Sequence, residues 1–350
     1  MRRAVVILGM HRSGTSALTR VLSLCGATAP QRTLPPARDN PEGVWEPASI
    51  VAIHEHILQT AGLSWHNVCA FPHSWFHSEV AKHFKLRLVA AVDEEFGEST
   101  FFIIKDPRMC RLVPLWLTVL EELNVTPVFV VVIRNPLEVA ASLKQRNGLL
   151  ESQSFLLWLR HFLAAERDTR GLPRAFTSYE SLLRDWHSVV DKIGRDLAIE
   201  WPRLSNVTEN EVDNFLALPL RHHNFSIEDM CGHSEATEWI KLAYAWGTKA
   251  VHGDTPPTDE LDAILASLEM AEKSFMPLIA SQKAGLERLW REVTRQKKLS
   301  TEFQREREAL RQHQQQQSRE CQALRQELSD LEHAYTLLKR RLEEHENRPS

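Results

Sequence analysis

The chain has 350 residues, of which 43% are hydrophobic and 25% are charged, so it can bury a substantial core. Its 42 basic and 46 acidic residues give a net charge of -4, and this bulk charge does not suggest nucleic acid as a partner. Five widely spaced cysteines without a C-x-x-C pair predict reduced thiols. No run approaches the roughly 20 apolar residues of a membrane helix, and the apolar stretch near the N-terminus is too short for a secretory signal. We therefore expect a cytoplasmic protein.

Short apolar runs along the first half of the chain predict parallel strands, because each is followed by a segment with helical spacing. This alternation indicates an α/β fold with a parallel sheet flanked by helices. The strands are expected at Ala4–Gly9, Phe101–Lys105, Val128–Ile133 and Ala175–Ser178.

Helical spacing of apolar residues recurs between these strands. One such segment has Pro47 near its start, where a first-turn proline is favoured. Between Trp201 and about Pro257 the periodicity weakens and predicts only scattered helix. The helical patterns cover residues 17–24, 50–58, 79–96, 109–123, 155–170 and 179–197.

The C-terminal segment differs in character, because glycine and proline are absent from Leu286 until Pro349. We expect an α/β domain over residues 1–280 and a coiled coil over residues 281–347, which pairs with a second copy or with a partner protein. Gln314 and Gln317 fall on the same seam and weaken its middle. The alternative is a single helix folded back on the globular domain. The apolar seam, with steps of four and three residues, consists of Leu324, Leu328, Leu331, Tyr335, Leu338 and Leu342.

A glycine-rich turn joins the first strand to the first helix, the geometry that directs backbone N–H groups toward an anion. Compared with the nucleotide-binding pattern G-x-x-x-x-G-K-[ST], the turn has both glycines and the final hydroxyl. Thr15, however, replaces the lysine that reaches the outer phosphates, and Arg12 is the candidate replacement cation. The turn therefore suits an anion other than a Mg-bound triphosphate. The alternative is a tight turn without a ligand. The segment reads Gly9-Met10-His11-Arg12-Ser13-Gly14-Thr15-Ser16.

Two further constellations lie at the carboxyl ends of predicted strands, where parallel sheets bind ligands. Arg134 ends the third strand, Asn135 can cap the next helix and Ser142 follows eight residues after the arginine. A guanidinium suits phosphate because its forked donors form two parallel hydrogen bonds, although it can equally be a structural ion-pair partner. The second strand ends in Lys105-Asp106-Pro107-Arg108.

Taken together, these segments resemble sulfotransferases that use 3′-phosphoadenosine 5′-phosphosulfate (PAPS), and most closely their bacterial, carbohydrate-type branch. The resemblance covers about residues 4–197 and implies a P-loop NTPase-like sulfotransferase fold without a metal cofactor. It implies that Arg134 and Ser142 bind the 3′-phosphate of PAPS. It also places Tyr179 near the adenine, although a buried structural tyrosine is an alternative. The implied 5′-phosphosulfate site comprises His11, Arg12, Ser13, Gly14, Thr15 and Ser16.

The same resemblance implies the catalytic groups. A base must take the acceptor proton, and Glu46 is the first candidate and Glu42 the second, with Asp106 and His11 as further ones. Glu46 alternatively caps the helix that follows it. Lys105 would balance charge on the transferring sulfonate or the leaving oxygen. Arg108 would contact phosphate or pair with Asp106 to hold the loop.

The implied activity is transfer of the sulfuryl group of PAPS to a hydroxyl or an amine of a saccharide or glycolipid acceptor. A Mg-ATP-dependent P-loop kinase is one alternative, and the missing lysine argues against it. The other is a non-catalytic nucleotide-binding protein that presents a coiled coil. His54 and His56 are two residues apart on a predicted helix, so they point to different sides, and no metal site is expected.

Overall fold

The computed structural model describes residues 2–36, 43–217 and 224–346. Its four described strands form one parallel sheet in the order β2-β1-β3-β4. Helices cover both faces, and the residues of β1 from Ala4 to Leu8 are therefore fully buried. The strands are β1 (Arg2–Leu8), β2 (Phe101–Lys105), β3 (Val125–Ile133) and β4 (Arg174–Ser178).

The strand residues alternate between two apolar cores, one on each face of the sheet. Val6 belongs to one core and its neighbours Val5 and Ile7 belong to the other. The predicted α/β class, a parallel sheet flanked by helices, is confirmed. The helices are α1 (Thr15–Leu24), α2 (Ala48–Thr60), α3 (Glu79–Phe96), α4 (Val113–Glu122), α5 (Pro136–Asn147), α6 (Glu151–Asp168), α7 (Tyr179–Arg184), α8 (Trp186–Leu197), α9 (Asn206–Leu216), α10 (Ile227–Gly232), α11 (Glu238–Val251) and α12 (Asp259–Glu346).

Two helices that the sequence predicts as continuous are each interrupted. The pattern over residues 109–123 contains a 3₁₀ turn at Pro107–Arg111 followed by α4, because Pro114 fits only the first turn of a helix. The pattern over residues 179–197 is split into α7 and α8. Asp185 lies between them and accepts a hydrogen bond from the Ser188 N–H, which caps α8.

The region from residue 201 to 257, where the prediction was weakest, contains three helices within its described part. These are α9, α10 and α11. The helix α11 buries Ile240, Ala243 and Trp246 in the core. The indole N–H of Trp246 donates to the Pro257 carbonyl at 3.0 Å.

The chain divides into two compact units, one ending at Glu272 and the other starting at Lys273. The helix α12 begins at Asp259, well before the predicted start of the C-terminal segment at residue 281. Its first turns belong to the first unit and bury Leu261, Ile264 and Leu268. Among the residues that the structure describes, no helix is both long and apolar enough to cross a bilayer.

Candidate functional site

The glycine-rich turn between β1 and α1 contains two residues with positive φ. Arg12 has φ of 70° and Gly14 has φ of 84°, both in the left-handed region. A Cβ added to Gly14 would lie 2.1 Å from the Tyr179 ring, so this position admits only glycine. The amide of Ser13 donates to the Met10 carbonyl at 3.1 Å and closes the turn.

Polar groups at this turn are buried without a partner. The first turn of α1 receives no side-chain cap, so no capping side chain satisfies its leading N–H groups. The Ser13 Oγ and the His11 Nε2 are also buried and have no hydrogen-bond partner. Buried polar groups are normally satisfied. The turn therefore has hydrogen-bond donors that could bind an anionic group.

Arg134 and Ser142 lie directly against this turn, through contacts with Arg12. The Nη1 of Arg134 donates to the Arg12 carbonyl at 2.7 Å, and the Nε of Arg12 donates to the Ser142 Oγ at 2.7 Å. The Arg134 guanidinium lies 4.6 Å from the centre of the Tyr179 ring. The capping of α5 by Asn135 is confirmed, since its Oδ1 accepts from the Leu137 N–H at 3.0 Å.

Arg134 is also paired with Glu138 of α5, which the sequence analysis did not anticipate. Its Nε donates to the buried Glu138 carboxylate at 2.7 Å. The described bonds use two of the five guanidinium N–H groups, and Arg134 also lines an adjacent cavity of about 230 Å³. The cavity lies at the carboxyl ends of β3 and β4. Residues that line it include Arg134, Asn135, Glu138, Ser178, Glu180 and Arg184.

Lys105 reaches the opposite side of the turn from the end of β2. Its Nζ lies 3.2 Å from the Ser16 Oγ and 2.8 Å from a carboxylate oxygen of Glu46, and it also donates to the Val44 carbonyl. Both Lys105 and Glu46 are buried. The cation beside the final hydroxyl of the turn is therefore Lys105, whereas Arg12 turns toward Ser142.

Glu46 does not cap a helix, so that alternative reading of the sequence is wrong. The helix α2 begins at Ala48, and its cap position is taken by Pro47 without a side-chain hydrogen bond. Glu46 instead bonds Lys105 and lies 3.8 Å from the Arg108 guanidinium. The second candidate base, Glu42, lies outside the described residues.

Asp106 is the centre of a buried network rather than an available base. It accepts hydrogen bonds from the Arg108 N–H at 3.0 Å and from the Arg108 Nη1 at 2.8 Å. It lies 2.7 Å from the Nδ1 of His54, whose Nε2 accepts from the Trp116 indole N–H at 2.9 Å. This arrangement puts the proton of the imidazole on Nδ1. Burial alone would raise the pKa of Asp106, but Arg108 and His54 outweigh it and hold that pKa below its usual range.

Arg108 also donates to Glu55 at 2.6 Å, so the observed contacts match the structural alternative for this arginine. It holds the strand end in place through two carboxylates. The sequence analysis considered His54 only as a metal ligand and did not predict its contact with Asp106. His54 lies on α2 and Asp106 follows β2, so their contact joins residues that are 52 positions apart in the sequence.

His11 is surrounded by groups that keep it neutral. Its ring lies 4.8 Å from Trp65 and 6.4 Å from His161. Burial lowers its pKa well below the ordinary value, and the Arg108 charge lowers it further. Burial, aided by Arg111, also lowers the pKa of His161 to about 3. A neutral imidazole with so low a pKa binds a proton weakly, which disfavours His11 as the base.

Trp65 and His161 were not identified from the sequence. Each is an isolated residue on a separate element, without a motif around it. Trp65 is half-buried, and the Arg146 guanidinium lies 5.7 Å from the centre of its ring. Within the described ranges, no group of three or more His, Cys, Asp and Glu side chains is arranged to hold a metal ion.

No protein-family model matches the chain, and no curated protein matches it. The solved structures to which the chain is similar include two sulfotransferase domains. The sulfotransferase domain from the Synechococcus PCC 7002 olefin synthase is 16% identical with a TM-score of 0.39, over 70% of this chain and 94% of that domain. The sulfotransferase domain from the curacin biosynthetic pathway is 14% identical with a TM-score of 0.34, over 77% of this chain and 98% of that domain. Neither similarity assigns a role to a residue.

Proposed function

We propose that this chain is a PAPS-dependent sulfotransferase that transfers a sulfuryl group to a hydroxyl or an amine of a carbohydrate acceptor. The observation that carries the proposal is the contact between Arg134 and the Arg12 carbonyl. It joins a turn suited to one anionic group with an arginine suited to another. A donor with a phosphosulfate at one end and a separate 3′-phosphate can use both.

The donor-binding roles follow from the groups on each side of that contact. The N–H groups of α1, together with Ser13, Thr15 and Ser16, would hold the 5′-phosphosulfate. Arg134 and Ser142 would hold the 3′-phosphate, and Arg134 lines the cavity beside β3 and β4. Tyr179 supports this side by packing under Arg134 and over Gly14.

The position of Lys105 supports sulfuryl rather than phosphoryl transfer. In a Mg-triphosphate site a lysine of the turn itself reaches the outer phosphates. Here the cation comes from β2 and already neutralises Glu46. The sulfuryl group carries less charge than a terminal phosphoryl group, so one lysine and the backbone donors are enough to stabilise its transfer.

Glu46 and Lys105 would act as a pair during transfer. The acceptor O–H gives its proton to the Glu46 carboxylate while the acceptor oxygen forms a bond to sulfur. The bond between sulfur and the phosphate oxygen breaks, and its electron pair leaves with 3′-phosphoadenosine 5′-phosphate (PAP). As Glu46 is neutralised, Lys105 is released to interact with the leaving oxygen.

Calorimetric titration with PAP tests the donor site. We expect tight binding without magnesium, and we expect Arg134→Ala to weaken PAP binding about 10- to 100-fold, the cost of a charged hydrogen bond. The same change should barely affect adenosine 5′-phosphate, which lacks the 3′-phosphate. Arg195→Ala, at an exposed position of α8, is the matched control.

Several outcomes would contradict the assignment. If Arg134→Ala weakens the binding of PAP and of adenosine 5′-phosphate equally, Arg134 does not bind the 3′-phosphate. Tight binding of Mg-ATP with no PAP binding would indicate a kinase. If PAP binds but mass spectrometry of a glycan panel incubated with PAPS detects no sulfated product, the chain is a nucleotide-binding protein without transferase activity on saccharides. Arg134→Lys, which keeps a charge against Glu138, separates lost recognition from misfolding.

A further inference from the structure

A stripe of exposed apolar residues runs along the C-terminal unit of α12. The side chains of its members are 50% to 69% exposed, whereas the core side chains of the first unit are less than 10% exposed. They fit one heptad frame, so they lie on one side of the helix. The apolar stripe consists of Leu289, Val293, Phe303, Leu310, Leu324, Leu328, Leu331, Tyr335 and Leu338.

The charges that flank the apolar stripe are segregated by sign. In the frame where Leu324 is at position d and Leu328 at position a, four of the seven g positions between residues 289 and 339 are glutamates and none is Lys or Arg, whereas four of the eight e positions are Lys or Arg and one is acidic. The acidic g positions are Glu292, Glu306, Glu320 and Glu327, and the basic e positions are Lys297, Arg311, Arg325 and Lys339.

This segregation determines which alignment of two such helices is favourable. In a parallel, in-register pair, each g residue faces the e residue five positions later on the other helix. Glu292 then faces Lys297 of the second copy, Glu306 faces Arg311 and Glu320 faces Arg325. In an antiparallel pair, g residues face g residues and e residues face e residues, so the four glutamates at g positions have no Lys or Arg to face.

We infer that a second copy of this chain covers the apolar stripe, with the two α12 helices parallel and in register. This inference stands independently of the proposed function. One like-charge contact, Glu327 with Glu332, occurs in this alignment between residues 289 and 339, against three attractive contacts. Polar residues at the a positions Arg307 and Gln314 disfavour more enclosed, higher oligomers, in which a polar a residue would be buried more completely.

Cys321 supplies a direct test of the register, because it is exposed and occupies an a position. In the proposed alignment it faces Cys321 of the second copy, within the Cα separation that a disulfide spans. In an antiparallel alignment it faces another residue type. Cys231 is the other exposed cysteine, and Cys25, Cys69 and Cys110 are buried.

The first experiment is oxidative cross-linking of the full chain at micromolar concentration with diamide, which takes up the two electrons and two protons of the thiols. The Cys231→Ser variant should give a covalent dimer on non-reducing electrophoresis. The Cys321→Ser variant should give none. A dimer by light scattering that fails to cross-link at Cys321 would overturn the parallel register, and a monomer at that concentration would overturn the second copy as occupant.

The second experiment exchanges the flanking charges. The double variant Glu306→Lys with Glu320→Lys places like charges across four symmetric contacts, so its dimer should dissociate at least about tenfold more readily. Mixing it with Arg311→Glu and Arg325→Glu should restore a mixed dimer, measured by sedimentation. Unchanged dissociation of the first variant, or no preference for the mixed dimer, would show that these charges do not face each other.

Discussion

Glu46 is buried beside Lys105. The proposed transfer requires a carboxylate oxygen of Glu46 to accept the proton of the acceptor hydroxyl. Glu46→Gln keeps the size of the side chain and a hydrogen-bond acceptor for Lys105, but an amide takes no proton. We expect sulfuryl transfer to fall about 10²- to 10⁴-fold, the usual contribution of general base catalysis. PAP affinity, measured by calorimetry, should stay within a factor of about two.

The control for this change is Glu79→Gln, which removes a carboxylate from an exposed surface pair with Lys82. It should leave transfer unchanged. If Glu46→Gln retains full transfer, the base is another group. If it loses PAP binding in the same proportion as transfer, then Glu46 acts by shaping the donor site.

Gly14 is a second residue whose identity is fixed by two independent constraints. Its positive φ disfavours any other residue, and an added Cβ would strike the Tyr179 ring. Gly148 at the end of α5 has φ of 68° but no atom within 4 Å of an added Cβ. We therefore expect Gly148→Ala to cost about 1 kcal/mol and Gly14→Ala to cost about 1 to 3 kcal/mol more.

Urea unfolding of both variants measures this difference, and PAP titration adds a second reading. Gly14→Ala should weaken PAP binding because the turn shifts, whereas Gly148→Ala should not. Equal losses of stability in the two variants would show that the Tyr179 ring can move away from an added Cβ without a loss of stability.

His161 makes stability depend on pH. Its pKa is about 3 in the folded chain, so between the unfolded value near 6.5 and about 3 the unfolded state binds more protons. Its contribution to stability is therefore present above pH 6.5 and is lost as pH falls. From pH 7 to pH 5 the loss is on the order of 2 kcal/mol.

Replacing His161 by Phe removes this titration. The difference in unfolding free energy between pH 7 and pH 5 should be smaller in His161→Phe than in the unaltered chain by about that amount. Comparing two pH values within each variant cancels the change in packing. An identical pH dependence in the two proteins would mean that His161 is accessible to protons in the folded state.

At the scale of elements, the sequence predicted best where local signals and burial agree. The strands were placed to within three residues because runs of β-branched residues are buried on both faces of a parallel sheet. The start of α5 was predicted because Asn135 and Pro136 are both suited to a first turn. The split at Asp185 was missed because the apolar spacing continues across it, although a capping residue was present.

Asn135 links an element boundary to a distant segment. Its Oδ1 caps α5, and its Nδ2 donates to the carbonyls of Phe225 and Ser226 at 3.1 and 3.0 Å. We expect Asn135→Ala to destabilise the chain by about 2 kcal/mol, since it removes a cap and leaves two partly buried carbonyls without a donor.

Asn135→Asp isolates the two roles, because a carboxylate can still accept from Leu137 but cannot donate to the carbonyls. If the link to the segment at 225–226 matters, urea unfolding should place Asn135→Asp below the unaltered chain. A stability equal to that of the unaltered chain would leave the cap as the only contribution of Asn135.

At the scale of the whole molecule, the motifs of the sequence predicted which residues gather at the candidate site but not which residues support them. The turn, Arg134 and Lys105 lie at strand ends, and the topology of a parallel sheet brings strand ends to one edge. Glu138, His54, His161 and Trp65 reach that edge from helices or loops without a motif. Their role follows from contacts between distant segments, which no local pattern encodes.

The extent of the first unit gives the last prediction. The buried core ends at Leu268, and Glu272 still bonds Arg160 at 2.7 Å, so a chain that ends at residue 280 retains the described core. It should unfold in urea with the same midpoint as the first unit of the full chain and should bind PAP with the same affinity. Ending the chain at residue 258 instead removes Leu261, Ile264 and Leu268 from the core.

Each of those three side chains contributes about 1.5 to 3 kcal/mol by burial, so their loss is on the order of 6 kcal/mol. This is comparable with the entire stability of an ordinary domain. The chain ending at residue 258 should therefore lose its cooperative unfolding transition, followed by tryptophan fluorescence, while the chain ending at residue 280 keeps it. If both truncated chains unfold alike, the first turns of α12 do not contribute to the core as their burial indicates.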